Sequence, residues 1–162
     1  MIGTMFGSLD QGRRIMASSW IGTGVFTVLA VLATAVLGPV RYVAVGGDLV
    51  LFVVGVVVFF WAYAVAVGRS REVEIGIGGL FFLAGPGTAP GRVKWHLNGS
   101  FAAQVVVAVA TASARPFTTL AFGILVPLHA LAHTGLWAAR YGHFGPRTTP
   151  SGPRIEQNAG HG

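Results

Sequence analysis

Apolar positions in this chain fall into long runs that carry almost no charge, rather than into stripes or alternations. The first run covers 15–37 and stops at Gly38–Pro39. At 1.5 Å per residue it makes about 35 Å of helix, enough to cross a hydrocarbon core of about 30 Å with some tilt. A second run covers 48–67, reading LVLFVVGVVVFFWAYAVAV after Asp48. A third, 97–114, is approached through a basic and aromatic lead-in from Pro90 to His96. The fourth, 117–139, follows immediately on Arg115–Pro116, so spans three and four should form a tight antiparallel hairpin. The pattern predicts an all-α fold, a four-transmembrane-helix bundle.

The remaining stretches fill in the layout. Residues 1–14 show no apolar stripe and read as a flexible tail. Residues 142–162 are rich in Gly, Pro, Thr and Ser and read as a disordered tail. The membrane domain is then 15–141, with a loop at 68–96. A cleaved signal peptide competes for the first run, because Arg13–Arg14 precede it and Ala33-Thr34-Ala35 fits a small-x-small site. The run exceeds the roughly 7–15 residues of a signal core, which favours an uncleaved span.

Within the loop, Ile75-Gly76-Ile77-Gly78-Gly79-Leu80-Phe81-Phe82-Leu83 is apolar but too short to cross. Its period of two is compatible with a small hairpin turning at Gly78–Gly79. Phe81 stands where a dinucleotide-binding G-x-G-x-x-G needs its last glycine, which excludes that motif. The segment is expected to pack under the bundle, with Ile75, Gly78, Gly79, Phe81 and Phe82 as its docking residues. Nearby, Glu72 and Glu74 are expected to pair with Arg69 and Arg71.

Composition sharpens this reading. The chain is 53% hydrophobic and 10% charged, where a soluble domain carries about 25% charged residues. The net charge of +6 does not imply nucleic acid as a partner, because the basic residues sit between the apolar runs. Four spans put Arg13, Arg14, Arg69, Arg71, Arg92, Lys94, Arg140, Arg147 and Arg154 on one side and Arg41 and Arg115 on the other. By the positive-inside rule both termini are cytoplasmic, in a multi-pass cell-membrane protein. A single lysine among abundant Arg, Ala, Gly and Val suggests a GC-rich genome and a bacterial inner membrane. With no cysteine, disulfides and thiolate chemistry are excluded.

Candidate chemistry concentrates in the fourth run. His129 and His133 share one helix face, with Trp137 a turn further. They are a candidate metal-ligand pair and, with Gln104, a candidate intramembrane pathway. Pro127 cannot donate to the carbonyl of Gly123, so a kink with an under-satisfied acceptor is expected there. Hydrogen bonding of neutral histidines within the bundle would be the plain structural alternative. Asp48 falls at the start of the second run, where it reads as a helix cap, and no mid-membrane carboxylate is expected. Small residues four apart, such as Ser18/Gly22 and Ala62/Ala66, favour close helix approach.

No nucleophile motif such as G-x-S-x-G, H-E-x-x-H or Ser-x-x-Lys occurs, so the reading leans away from an enzyme. The leading expectation is a non-enzymatic accessory or assembly subunit of a larger membrane complex. Its partners would be the bilayer and other membrane subunits or a second copy, with no cofactor. A histidine-dependent haem or metal redox protein, and a small transporter or channel, are the alternatives.

Overall fold

The computed structural model describes residues 3–36, 38–114 and 118–146. It has five α-helices: α1 (Gly3–Ala35), α2 (Val40–Arg69), α3 (Ile77–Phe82), α4 (Gly91–Ala114) and α5 (Pro127–Tyr141). A 3-10 segment, Thr119–Leu125, leads into α5. Four helical stretches are long and apolar enough to span a membrane: Gly12–Ala35, Val40–Arg69, Gly91–Ala114 and Ala121–Tyr141. The chain is thus an all-α, four-span membrane bundle.

Boundaries differ from the expected ones where the chain has no helix breaker. Residues 3–14, expected as a tail, continue α1 toward its N-terminus. Extending an existing helix adds one hydrogen bond per residue fixed, whereas starting one is costly. Likewise α2 begins at Val40, about two turns before the apolar run. Pro39, at φ −63°, precedes it and is already set for helix entry. The earlier start moves Asp48 from the helix edge to the helix interior. Most of the expected C-terminal tail lies outside the described residues.

The fourth span is not one continuous α-helix. Pro127 occupies the first position of α5, and the turn before it tightens to 3-10 geometry. The Val126 N–H then donates to the Gly123 carbonyl at 3.1 Å. The expected under-satisfied acceptor is therefore absent: the i→i+3 bond supplies the donor that proline lacks.

Helix α5 is central. It packs most heavily against α2 and also touches α1 and α4, while α2 and α4 lie on opposite flanks. Accordingly 56% of the most apolar stretch of the fourth span, Ala121–Tyr141, is buried, against 17% of that of α2. The link from α2 to α4 must cross from one flank to the other, and it does so over the end of α5. We call this the basic end, since Arg69, Arg92 and Arg140 all lie near it.

The crossing loop is tied down by polar contacts. The Arg69 guanidinium donates to the carbonyls of Ala139 at 2.7 Å and Gly142 at 3.1 Å. Arg69 thus caps α5, where unpaired carbonyls and the negative dipole end favour a cation. This replaces the ion pairing expected with the glutamates. The Glu74 N–H donates to Gly145 O, and the His143 N–H to Thr88 O.

The segment expected as a hairpin or ordered loop contains the short helix α3. It closes on Leu83, in the left-handed region at φ 53°, with the Ala84 N–H donating to Gly78 O. Such a left-handed closure satisfies the last carbonyls of a helix. Phe81 is buried and stacks on Phe59 of α2, centroids 5.0 Å apart and planes 8° apart. Ile75 packs against the same core cluster, whose members include Leu80, Leu83, Val93, Leu97 and Trp137. Gly79 lies under the Phe144 ring, whereas Gly78 has only Ala84 near it and Phe82 is half exposed.

Candidate functional site

The site begins with two facing stripes. His129, His133 and Trp137 recur every four residues on α5 and are all buried. Opposite them α1 presents small residues. Gly22 lies against the His129 ring, Ser18 bonds His133, and Gly12 lies against the Trp137 indole. On the other side Gly55 of α2 meets the backbone of His129: a Cβ there would stand 2.9 Å from both N and Cα. His129 is thus wedged between two glycines on different helices.

Hydrogen bonds fix the tautomer of His133. Its Nδ1 lies 2.7 Å from the His129 carbonyl, which can only accept, so Nδ1 carries the proton. In the neutral ring Nε2 then accepts from the Ser18 hydroxyl, 3.0 Å away. The two imidazole rings are 4.3 Å apart and inclined by 41°. His129 differs: its Nδ1 is buried with no hydrogen-bond partner among the described residues.

Gln104 bonds neither histidine. Its Oε1 accepts from the Ala130 N–H at 3.3 Å, and its Nε2 donates to Thr23 Oγ1 at 2.9 Å. The reason lies in α5. Because α5 starts within the bundle, its first N–H groups lack intrahelical acceptors, and the His129 N–H has turned to Val126 O. Gln104 supplies an acceptor from α4. Thr23 passes the chain on, donating to Ser19 O at 2.9 Å. Ser19 and Ser100 join their hydroxyls at 2.6 Å, pinning α1 to α4.

Asp48 does not cap a helix end but lies buried within α2. It is only 6% exposed, and its Oδ1 has no hydrogen-bond partner among the described residues. It lines a small cavity of about 140 Å³ with Val45, Leu49, Phe52, Phe122 and Leu125. Its Oδ2 approaches the site of the missing side chain at Gly123 to 3.4 Å, beside the Phe26 ring. Since Gly55 marks the level of His129, Asp48 lies seven residues, or about 10 Å, further from the basic end. A signal for this burial was present. The buried residues of α2 are Ala44, Asp48, Gly55, Ala62 and Ala66, spaced 4, 7, 7 and 4 apart. Asp48 is thus in heptad register with the small residues that face α5.

The expected residues therefore separate. His129, His133 and Gln104 share one buried layer, whereas the loop residues around Phe81 form part of the basic-end core. Gly123 and Pro127 make the helix break, and Gly123 also admits Asp48. Of the other histidines, His96 is half-buried between α1 and α4, His143 is exposed, and His161 lies outside the described residues. No group of three or more His, Cys, Asp or Glu suited to a metal occurs among the described residues. No family model, curated protein or solved structure matches the chain.

Proposed function

We propose that this four-span membrane protein is a small transporter or channel that moves protons, with His129, His133 and Asp48 as its protonatable groups. The observation that carries this reading is that two titratable side chains in the bundle interior, His129 and Asp48, each keep a buried atom without a hydrogen-bond partner among the described residues, Nδ1 and Oδ1. Ionisable groups at such depth are costly, and they mark proton and ion pathways in membrane proteins. His133 fits a relay because its partner is a hydroxyl. When Nε2 gains a proton, Ser18 can turn from donor to acceptor without moving a helix. Gln104 then acts as a positioning residue that holds the start of α5. The topology that goes with this reading places both termini in the cytoplasm of a bacterial cell.

The test is reconstitution into liposomes loaded with a pH-sensitive dye, under a potassium-diffusion potential. Wild type should acidify or alkalinise the lumen faster than protein-free vesicles. Asp48→Asn and His129→Asn should each reduce the rate at least tenfold, and Gly24→Ala should not. Folded wild type that gives no more flux than empty vesicles would sink the proposal.

The accessory-subunit reading draws on a different observation. α2 is mostly outward-facing and exposes Phe60, Trp61 and Tyr63 near the basic end. Stoichiometric co-purification with a larger membrane protein, lost when these three are replaced by leucine, would support it. A redox centre on His129 and His133 draws on no comparable observation, since no third metal-ligating side chain joins them among the described residues.

A further inference from the structure

We infer that a groove between α1 and α4 at the basic end is a binding site for one anionic phospholipid. The groove has a volume of about 510 Å³ and is lined by Arg13, Met16, Ala17, Trp20, Arg92, Val93 and His96. Pockets that hold small ligands measure roughly 300–1,000 Å³. Its shape follows from the packing. The Ser19–Ser100 bond clamps the two helices together. The Trp20 ring lies over Gly99, where an added Cβ would come within 3.9 Å of it. Nearer the basic end the helices leave space between them. Arg13 stands six residues from Ser19, and Arg92 eight from Ser100, so the basic rim lies about 9–12 Å above the clamp.

This geometry matches the two parts of a phospholipid. Arg13 and Arg92, both exposed, bring two guanidinium groups from different helices to the rim. Each has a planar donor fork suited to a phosphodiester. His96 adds a third polar group, and the first turn of α4, whose N–H groups are positively polarised, begins at Gly91. No acidic side chain lines the groove among its described residues. Val93 sits at the level of the rim, and below it Met16, Ala17 and the Trp20 ring make an apolar wall on the α1 side, facing His96. An acyl chain can run down this wall to the clamp while its phosphate stays at the headgroup level. A basic pocket between transmembrane helices is the expected form of such a site. Free phosphate would satisfy the rim and leave the apolar wall open to water, so a lipid is the better occupant. The site makes no use of His129, His133 or Asp48 and stands apart from the proposed proton function.

The experiment is lipid titration of the purified full chain in mild detergent, followed by native mass spectrometry. Phosphatidylglycerol is compared with phosphatidylcholine of the same acyl chains. Two basic contacts, each worth about fivefold, predict a preference of about 25-fold for phosphatidylglycerol. Arg13→Gln/Arg92→Gln should reduce that preference to below threefold, and Arg14→Gln should leave it unchanged. As a second readout, phosphatidylglycerol brominated on its acyl chains should quench wild type more than Trp20→Phe, since the groove places a chain on Trp20. Equal binding of the two lipids by wild type would overturn the inference. So would an undiminished preference in the double variant, quenching that ignores Trp20, or inorganic phosphate that displaces the lipid at equal concentration.

Discussion

The imidazole of His129 occupies the space that Gly22 leaves empty on the facing helix. Ser18 does the same for His133, one turn away, by offering a hydroxyl instead of bulk. The four-residue spacing of small groups on α1 is therefore the complement of the four-residue spacing of histidines on α5. Helix approach and polar chemistry are settled by the same pair of stripes.

Steric substitution should show how tightly this wedge is held. Gly55→Ala would place a Cβ 2.9 Å from backbone atoms of His129, which cannot rotate away. It should destabilise the bundle by about 1–3 kcal/mol, the usual range for overpacking. Gly24→Ala and Gly46→Ala, inside helices where nothing lies within 4 Å, should not destabilise, and can gain up to about 1 kcal/mol from helix propensity. Thermal unfolding in detergent, followed by circular dichroism, measures all three. A Gly55 variant as stable as the two controls would contradict the packing described.

Gln104 should behave as a structural cap. Gln104→Leu removes the acceptor of the Ala130 N–H and the donor to Thr23. The expected loss is about 1 kcal/mol, in line with interhelical polar bonds in membranes. In a double-mutant cycle with Thr23→Val the two changes should be non-additive, because they break the same bond. Strict additivity would mean the Gln104–Thr23 bond contributes nothing.

Arg69 should hold the crossing loop. Arg69→Met deletes both bonds, to the carbonyls of Ala139 and Gly142, and should cost about 1–2 kcal/mol. Its signature is local: faster amide hydrogen exchange in 70–90 and 142–146, with α1 and α4 unchanged. Arg69→Lys should recover only part of the protection, since an ammonium lacks the fork that reaches two carbonyls. Uniform acceleration across the chain would point instead to global unfolding.

Asp48 can be distinguished chemically from the other acids. A lipid-soluble carbodiimide should modify it ahead of Glu72 and Glu74, because the Asp48 cavity is walled by apolar side chains and both glutamates are exposed. Digestion and mass spectrometry should locate one adduct on α2, absent from Asp48→Asn. Preferential labelling of Glu72 or Glu74 would remove Asp48 from the membrane interior.

Much of the architecture was legible in the chain. The four apolar runs correspond to the four spans, since length and greasiness alone decide whether a helix can cross. The pairing of the histidines on one face, and a break at Pro127, followed from helix periodicity and the missing proline N–H. The role of Gln104 did not follow, because the donor it serves is the Ala130 N–H, and that group becomes free only once α5 begins inside the bundle. Nor did the environment of Asp48. Hydropathy marks where an apolar run begins, whereas helix α2 reaches back to Val40 through residues that are merely less greasy.

Solvent preference is a property of each segment by itself, so local composition was enough to specify lipid-facing rods and their number. Partnership is a property of surfaces that meet. Asp48 against Gly123, His129 between Gly22 and Gly55, and Arg69 on the end of α5 each join residues far apart in the chain. Those contacts exist only because α5 took the centre of the bundle and α2 and α4 its flanks, a choice governed by how four helices fit together in space.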